Sequence, residues 1–460
     1  MTISLNQVRE YGFYLLVFIL PWQTRWIIRD PLIGGEVWEY GRVSLYGWDI
    51  VLIVLLLISL LAVGQMVKNF KFLIFNFKSN FKWSFKIFKN PVLVYLLLLL
   101  FTFTSIGWAG DKVLTLYWLG RIAEVGALWW LIKFIKPRLS VVCWSLVAAG
   151  TVQALWAIGQ FITQSTFASK WLGVAVHPIT QYGTSVVLTD AGRWLRAYAG
   201  QVHPNVLGGL LVVTCLATIL LISRIKNYEL RIKNIILVAL YIIQLVGLFF
   251  TFSRGAWLAL FITLAVLIMY NCVKYVRPDI FCQDDDQMGL RLGRHYLKKR
   301  LAVVLGYTLL VFITLGVVLW QPTVGRILGY SRLEVKSVEE RMASVQDSQK
   351  VAAVNQWFGV GLGNYTVALQ KIMPNERAYY YQPVHNVFLL ILAELGIIGL
   401  LLFMWLIGSM VCLKKPLAIS HWLLAAVLIT SLFDHYWWTI PSMLVLGGLW
   451  LSLSQARLEP

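Results

Sequence analysis

About twelve stretches of the chain stay apolar for close to the roughly 20 residues a helix needs to cross a bilayer. They fall at about 10–27, 49–66, 91–107, 114–132, 140–161, 202–223, 234–251, 255–271, 301–320, 385–410, 417–433 and 438–455. Without water, the backbone groups of each run must be satisfied within the run, and a helix does that. Composition agrees: 59% of residues are hydrophobic and 13% charged, against about 25% charged in soluble domains. A soluble enzyme is excluded. The formal charge of +19 would suggest nucleic acid on a soluble chain, but 21 Trp among long apolar runs argue against that partner. The expected fold is an all-α polytopic membrane protein of about twelve transmembrane helices, one integral membrane domain over 1–460. The first span is the weakest, because Pro21 follows a short apolar run and Arg9 before it gives the look of a signal peptide. No small-residue cleavage site follows, so the segment is kept as a span.

Basic residues set the orientation. Residues 67–90 hold six lysines and no acidic residue, which marks that loop as cytoplasmic by the positive-inside rule. Both termini then lie in the cytoplasm of a plasma (inner) membrane protein, and two long outside loops, 162–201 and 321–384, face away from it. Cys143, Cys215, Cys272, Cys282 and Cys412 fall in spans or inside, where disulfides are not expected. No zinc spacing links them. Asp284, Asp285 and Asp286 form a solvated acidic run without the longer pattern of a calcium loop. No metal and no cofactor is called for.

Within 321–384 the spacing predicts an amphipathic helix. Ser337-Val338-Glu339-Glu340 fits a capping box, followed by Val338, Met342, Val345 and Ala352 along one face. The glycines of FGVGLGNY (358–365) end that helix; they form a tight turn in preference to a phosphate-cradling loop, since the strand-to-helix context of the latter is missing.

Ionisable residues at span ends are costly and normally paired or functional. Three clusters stand out on the outside: RWLRAYAGQVHPN (193–205) with Arg193, Arg196, His203 and Asn205; FSRGAW (252–257) with Arg254; and QPVHN (382–386), where Pro383 starts a helix and His385 lies in its first turn. Taken singly, the arginines are explained by contact with lipid headgroups and His385 by a helix end. Together, planar guanidinium clamps for phosphate beside a histidine that accepts a proton near neutral pH suit a lipid diphosphate donor and a hydroxyl acceptor.

The stretch HNVFLLILAELGIIGL (385–400), with His-Asn followed by Gly396 and Gly399, resembles the signature of the O-antigen ligase and O-antigen polymerase superfamily. FSRGAW, RAYAGQVHPN and ERMASVQDSQKVAAVNQWFGVGLGNY are similar to further landmarks of that superfamily, in its order, over about 190–405. The resemblance implies a polyprenyl-sugar glycosyltransferase (GT-C-like) bundle with its active site on the outer face. It implies metal-independent transfer of a glycan from undecaprenyl diphosphate to an acceptor hydroxyl on a glycan or lipid. By that similarity Arg196 and Arg254 hold the diphosphate, with Arg193 and Arg341 as further candidates, and His385 acts on the acceptor. His203 gains no support from the family.

Beside the resemblance, the residues themselves leave roles open. Asn386, Tyr380 and Tyr381, close to His385, are candidate contacts to sugar or acceptor; the tyrosines fit an interfacial aromatic belt equally well. Asp434 in the last outside turn is a candidate orienting carboxylate. Glu394, nine residues beyond His385, lies about 13 Å along the helix axis and is read as structural, as are Arg121 and Glu124, a pair three residues apart. Gly396 and Gly399 permit close helix packing. A ligase is the leading reading, followed by a polymerase or a protein-glycosylating member. From another class, a secondary transporter predicts an internal repeat and midplane charge, and the sequence shows neither.

Overall fold

The computed structural model describes residues 4–66, 90–224, 231–276, 287–411 and 420–455. The lysine run after Met66, the acidic run at 284–286, Cys282 and Cys412 lie outside the described residues, as do the surroundings of Cys272. Helices dominate. In chain order they are α1 (Leu5–Ile19), α2 (Gly47–Met66), α3 (Pro91–Thr104), α4 (Lys112–Ile135), α5 (Leu139–Thr163), α6 (Pro204–Arg224), α7 (Arg231–Phe250), α8 (Arg254–Val276), α9 (Gln287–Val318), α10 (Trp320–Leu328), α11 (Arg332–Val354), α12 (Tyr365–Ile372), α13 (Val387–Val411), α14 (Ser420–Ser431), α15 (Tyr436–Thr439) and α16 (Pro441–Gln455).

Among the described residues four helices are long and apolar enough to cross a membrane: Leu139–Thr163, Pro204–Ser223, Lys299–Val318 and Val387–Met410. Six shorter apolar helices accompany them, at Gly47–Val63, Pro91–Gly107, Asn234–Phe250, Arg254–Tyr270, Trp422–Ser431 and Pro441–Trp450. Among the described residues these ten helices coincide with ten of the twelve expected spans; the runs at 10–27 and 114–132 are not among them. The first expected span is cut short, because α1 ends at Ile19 and Pro21 turns the chain into strand β1 (Arg25–Arg29).

Nor is the chain wholly helical. β1 pairs antiparallel with β4 (Val43–Tyr46), β2 (Leu32–Ile33) with β3 (Glu36–Val37), and β5 (Val186–Thr189) with β6 (Gly192–Leu195). These are small ribbons in connecting segments. Pairing within each satisfies backbone groups that no helix covers.

α6 is the central post. Its apolar window is 94% buried, and α5, α7, α8, α9 and α14 surround it. Close approach is built in at Gly209, where a Cβ would stand 2.2 Å from the Tyr436 hydroxyl. Cys143 and Cys215 lie buried in α5 and α6. The expected Arg121–Glu124 pair is present at 2.9 Å, and Asp49 at the start of α2 joins it through both its oxygens, at 2.6 and 3.0 Å.

The long loop contains α10, α11 and α12, and two expectations for it change. α11 starts at Arg332 with Ser331 as its cap, the Ser331 side chain accepting from Glu334 N. Ser337 therefore sits inside the helix and caps nothing. α13 is broken at Gly396 (φ 67°, ψ −170°), so Gly396 and Gly399 do not lie on one continuous helix. The loop after α11 fills the break: Val360 N donates to Ala393 O (3.0 Å), Gly361 N to Glu394 O (2.8 Å) and Ile397 N to Gln356 O (2.9 Å). A Cβ on Gly396 would meet the Trp357 backbone at 2.3 Å. Non-helical backbone is tolerated at such depth only where protein covers it, and here residues 356–361 do.

Candidate functional site

The N-termini of α6 and α8, the short helix α10, α11 and the α14–α15 turn enclose a cavity of about 240 Å³. Arg254, Arg326, Arg341, Asn205 and Asp434 line it. The N-terminal backbone amides of α6 and α8 give this end of the bundle a positive field before any side chain is counted.

Arg254 is the first residue of α8. Just before it, Phe252 adopts a left-handed φ of 46°, unusual for a bulky residue and costing about 1–3 kcal/mol. Its ring is fully buried against Phe249 and Trp257. That conformation presents the Phe252 carbonyl to Arg326, whose Nε donates to it at 2.9 Å. Arg326 also donates to Glu334 Oε1, and the other Glu334 oxygen lies 3.1 Å from Arg254. One buried carboxylate from α11 thus holds two guanidiniums. Burial, opposed by Glu334 and assisted by Arg254 and Arg341, pushes the Arg326 pKa down. Neither Arg326 nor Glu334 was expected from the sequence.

Arg196 follows β6 and is buried. It donates through Nε to Thr251 O at 2.8 Å and through a terminal nitrogen to Asn205 Oδ1 at 2.6 Å. Burial and the neighbouring Arg326 charge both drive its pKa well down. A guanidinium remains protonated under such pressure, so the site favours an added anion. Asn205 passes the connection on, its Nδ2 donating to Asp434 Oδ2 at 2.8 Å. Asp434 Oδ1 accepts from His435 N at 2.8 Å and stands 3.5 Å from His385 Nδ1. Burial raises the Asp434 carboxyl pKa, but His385, His435 and His203 outweigh that and hold it below the usual range.

His385 lies just ahead of α13, not in its first turn. Asn386 is the cap, its Oδ1 accepting from Phe388 N at 2.9 Å and Leu389 N at 3.0 Å while its Nδ2 donates to Leu432 O at 3.2 Å. The Asn386 side chain is thereby committed to fixing where His385 stands. The tyrosines are similarly committed. Tyr380 donates to Asp347 Oδ2 at 2.7 Å, and burial with that bond pushes its pKa to about 12. Tyr381 is buried and donates to Met373 O at 2.6 Å.

His203 and His435 are held neutral. Burial and Arg196 lower His203 to about 3, and burial lowers His435 to about 4. His203 Nδ1 accepts from Asn205 N at 3.1 Å while its Nε2 faces Ser185 Oγ at 2.9 Å.

The structure thus brings Arg196, Arg254, Arg341, Asp434 and His385 to one end of the bundle. It does not bring Arg193, which is exposed on β6 opposite Leu188. Glu394 is elsewhere too, accepting from Trp438 Nε1 at 2.9 Å.

Residues 236–404 match the family model described as O-antigen ligase. This segment, 169 of the 460 residues, is what the chain shares with the O-antigen ligase family. That similarity, with the apolar helices, supports a membrane protein of the glycan ligase or polymerase type. No curated protein and no solved structure matches the chain. The matched segment contributes Arg254, Arg326, Glu334, Arg341 and His385. Arg196, Asn205 and Asp434 reach the same site from outside the matched segment, so the cavity is assembled by the fold and not by that segment's sequence alone.

Proposed function

We propose that the chain is a metal-independent glycosyltransferase that passes a glycan from undecaprenyl diphosphate to an acceptor hydroxyl at the outer face of the plasma membrane. The observation that carries this reading is the hydrogen-bonded line Arg196–Asn205–Asp434 ending beside His385, on the wall of a cavity lined by three further arginines. Four guanidiniums face two carboxylates, Glu334 and Asp434, leaving an excess of two positive charges. A diphosphate diester supplies about two negative charges, and each phosphate oxygen suits the guanidinium fork.

The steps balance without another group. The acceptor oxygen attacks the anomeric carbon, its proton passes to His385, and the bond from that carbon to the diphosphate breaks. The negative charge gathering on the leaving diphosphate falls where fixed guanidiniums already point, which is where electrostatic stabilisation is most effective. Asp434 orients the His385 ring and stabilises its protonated form. A single displacement inverts the anomeric centre. The reading entails twelve spans in a polyprenyl-sugar glycosyltransferase bundle, with both termini cytoplasmic and the site on the opposite face. Arg193 reaches the donor only if the β5–β6 ribbon moves, and Tyr380 and Tyr381 support the loop without touching sugar.

The test separates binding from chemistry. Purified His385→Ala is expected to bind lipid-linked glycan as tightly as wild type yet transfer none, whereas Arg254→Ala loses binding. Normal transfer by His385→Ala contradicts the proposal. A polymerase differs only in taking a second lipid-linked glycan as acceptor.

A further inference from the structure

His385, Asp434 and His435 each offer one ligand atom, and the three atoms lie within 4.8 Å of one another. His385 Nδ1 is 3.5 Å and His435 Nε2 3.9 Å from the same Asp434 oxygen. A tetrahedral zinc ion with bonds of about 2.0–2.2 Å places its ligand atoms about 3.4 Å apart. Closing a gap of up to 4.8 Å to that separation takes shifts of at most about 0.7 Å in each of the two side chains.

Hydrogen positions strengthen the case. Thr439 Oγ1 lies 2.6 Å from His435 Nδ1 and 3.2 Å from His435 O, so a hydroxyl that donates to the carbonyl accepts from the ring. In that tautomer the His435 proton is on Nδ1, and Nε2 turns a lone pair toward the Asp434 carboxylate 3.9 Å away. Two acceptors facing each other with no proton between them form a repulsive pair that a cation relieves. His385 Nδ1 is itself buried with only this long 3.5 Å contact to Asp434 before it. The Thr439 bond is the outer-shell support that metal-binding histidines ordinarily have.

We propose that His385, Asp434 and His435 form a reversible site for a zinc-class divalent cation whose occupancy switches transfer off. Two imidazoles and one carboxylate favour zinc or cobalt over magnesium or calcium. Three protein ligands leave the fourth position for water from the cavity that Asp434 lines. Arg196, Arg254 and Arg326 nearby add positive charge, so the ion is held more weakly than at a structural zinc site. Coordination through Nδ1 leaves the His385 proton on Nε2, so the ring has no free lone pair for the acceptor proton. The block rests on the role proposed above for His385; the ligand geometry does not.

The experiment uses the full chain in detergent with zinc chloride, and cobalt chloride as a spectroscopic probe. Bound metal per chain is compared among wild type, His435→Gln and Thr439→Val. Wild type is expected to bind one ion more than His435→Gln and to give the visible absorption of tetrahedral cobalt. Thr439→Val keeps both rings and is expected to bind roughly tenfold or more weakly. Zinc should inhibit wild-type transfer over the concentration range in which that ion binds. Equal metal content and equal affinity in all three chains overturn the site. Binding with transfer unchanged or increased overturns the block. If metal-free wild type shows no transfer at all, the role of His385 fails instead, and the binding comparison still decides the site.

Discussion

Arg326 offers the sharpest separation between holding the protein together and handling its substrate. Its side chain is 6% exposed and that of its partner Glu334 3%, whereas Arg254, which shares the same carboxylate, is 33% exposed. Arg326→Ala removes one member of a buried ion pair and leaves the Phe252 carbonyl without its donor. Breaking a buried pair from one side costs about 3–5 kcal/mol, and the partly exposed Arg254 still beside Glu334 holds the loss to the lower end of that range. Arg254→Ala leaves Glu334 with Arg326, and a partly exposed pair contributes about 1 kcal/mol or less. Both substitutions remove a guanidinium from the cavity, and each is expected to slow transfer by about 10²–10³-fold, the usual consequence of deleting one charge-stabilising donor. The double substitution Arg326→Met with Glu334→Leu deletes the pair whole, which is often neutral for stability. It should restore most of the unfolding free energy and none of the transfer. The assay is chemical unfolding in detergent beside transfer by the same preparations. Equal destabilisation by Arg326→Ala and Arg254→Ala, or recovered transfer in the double variant, refutes the assignment.

Arg254→Lys should remain poor in transfer despite its retained charge, because an ammonium lacks the planar fork; full activity indicates that Arg254 only anchors to headgroups. The depressed pKa of His203, about 3 against a usual value near 6.5, makes stability acid-sensitive. Below pH 6.5 the unfolded chain takes up a proton that the folded chain refuses, so the contribution present above pH 6.5 is lost as pH falls toward 3. Thermal unfolding from pH 7.5 to 4.5 should show this decline, flattened in His203→Gln, and parallel curves contradict it. Gly396→Ala combines a positive φ with a 2.3 Å approach to the Trp357 backbone. It should free residues 356–361 from the break in α13, read as faster proteolysis there, and unchanged cleavage speaks against the clasp.

Much of the architecture is legible because apolar runs impose it. Pro21 shows where that logic fails: the run at 10–27 continues through a proline into Trp26 and Ile27, and only tertiary structure distinguishes a strand from the end of a span there. The start of α11 was also ambiguous, since Ser331-x-x-Glu334 and Ser337-x-x-Glu340 both fit a capping box. The discriminating signal lay upstream: Gly329 ends α10 with φ 71°, which makes Ser331 the next available cap.

Arg254, Arg196, His385 and Asp434 were visible as charges at span ends. Arg326 and Glu334 were not, since an arginine and a glutamate in a long polar loop look solvated until the loop folds back over Phe252. Asn386 and Tyr381 stand beside His385 in sequence, but their side chains are spent on the α13 cap and on Met373 O.

The central claim is direct displacement of a lipid diphosphate with His385 taking the acceptor proton. Its most direct measurement is the anomeric configuration of the product formed by purified protein from a polyprenyl-diphosphate glycan with chelator present. An inverted linkage released together with free lipid diphosphate is the predicted result. A retained linkage, or loss of transfer on chelation, contradicts it.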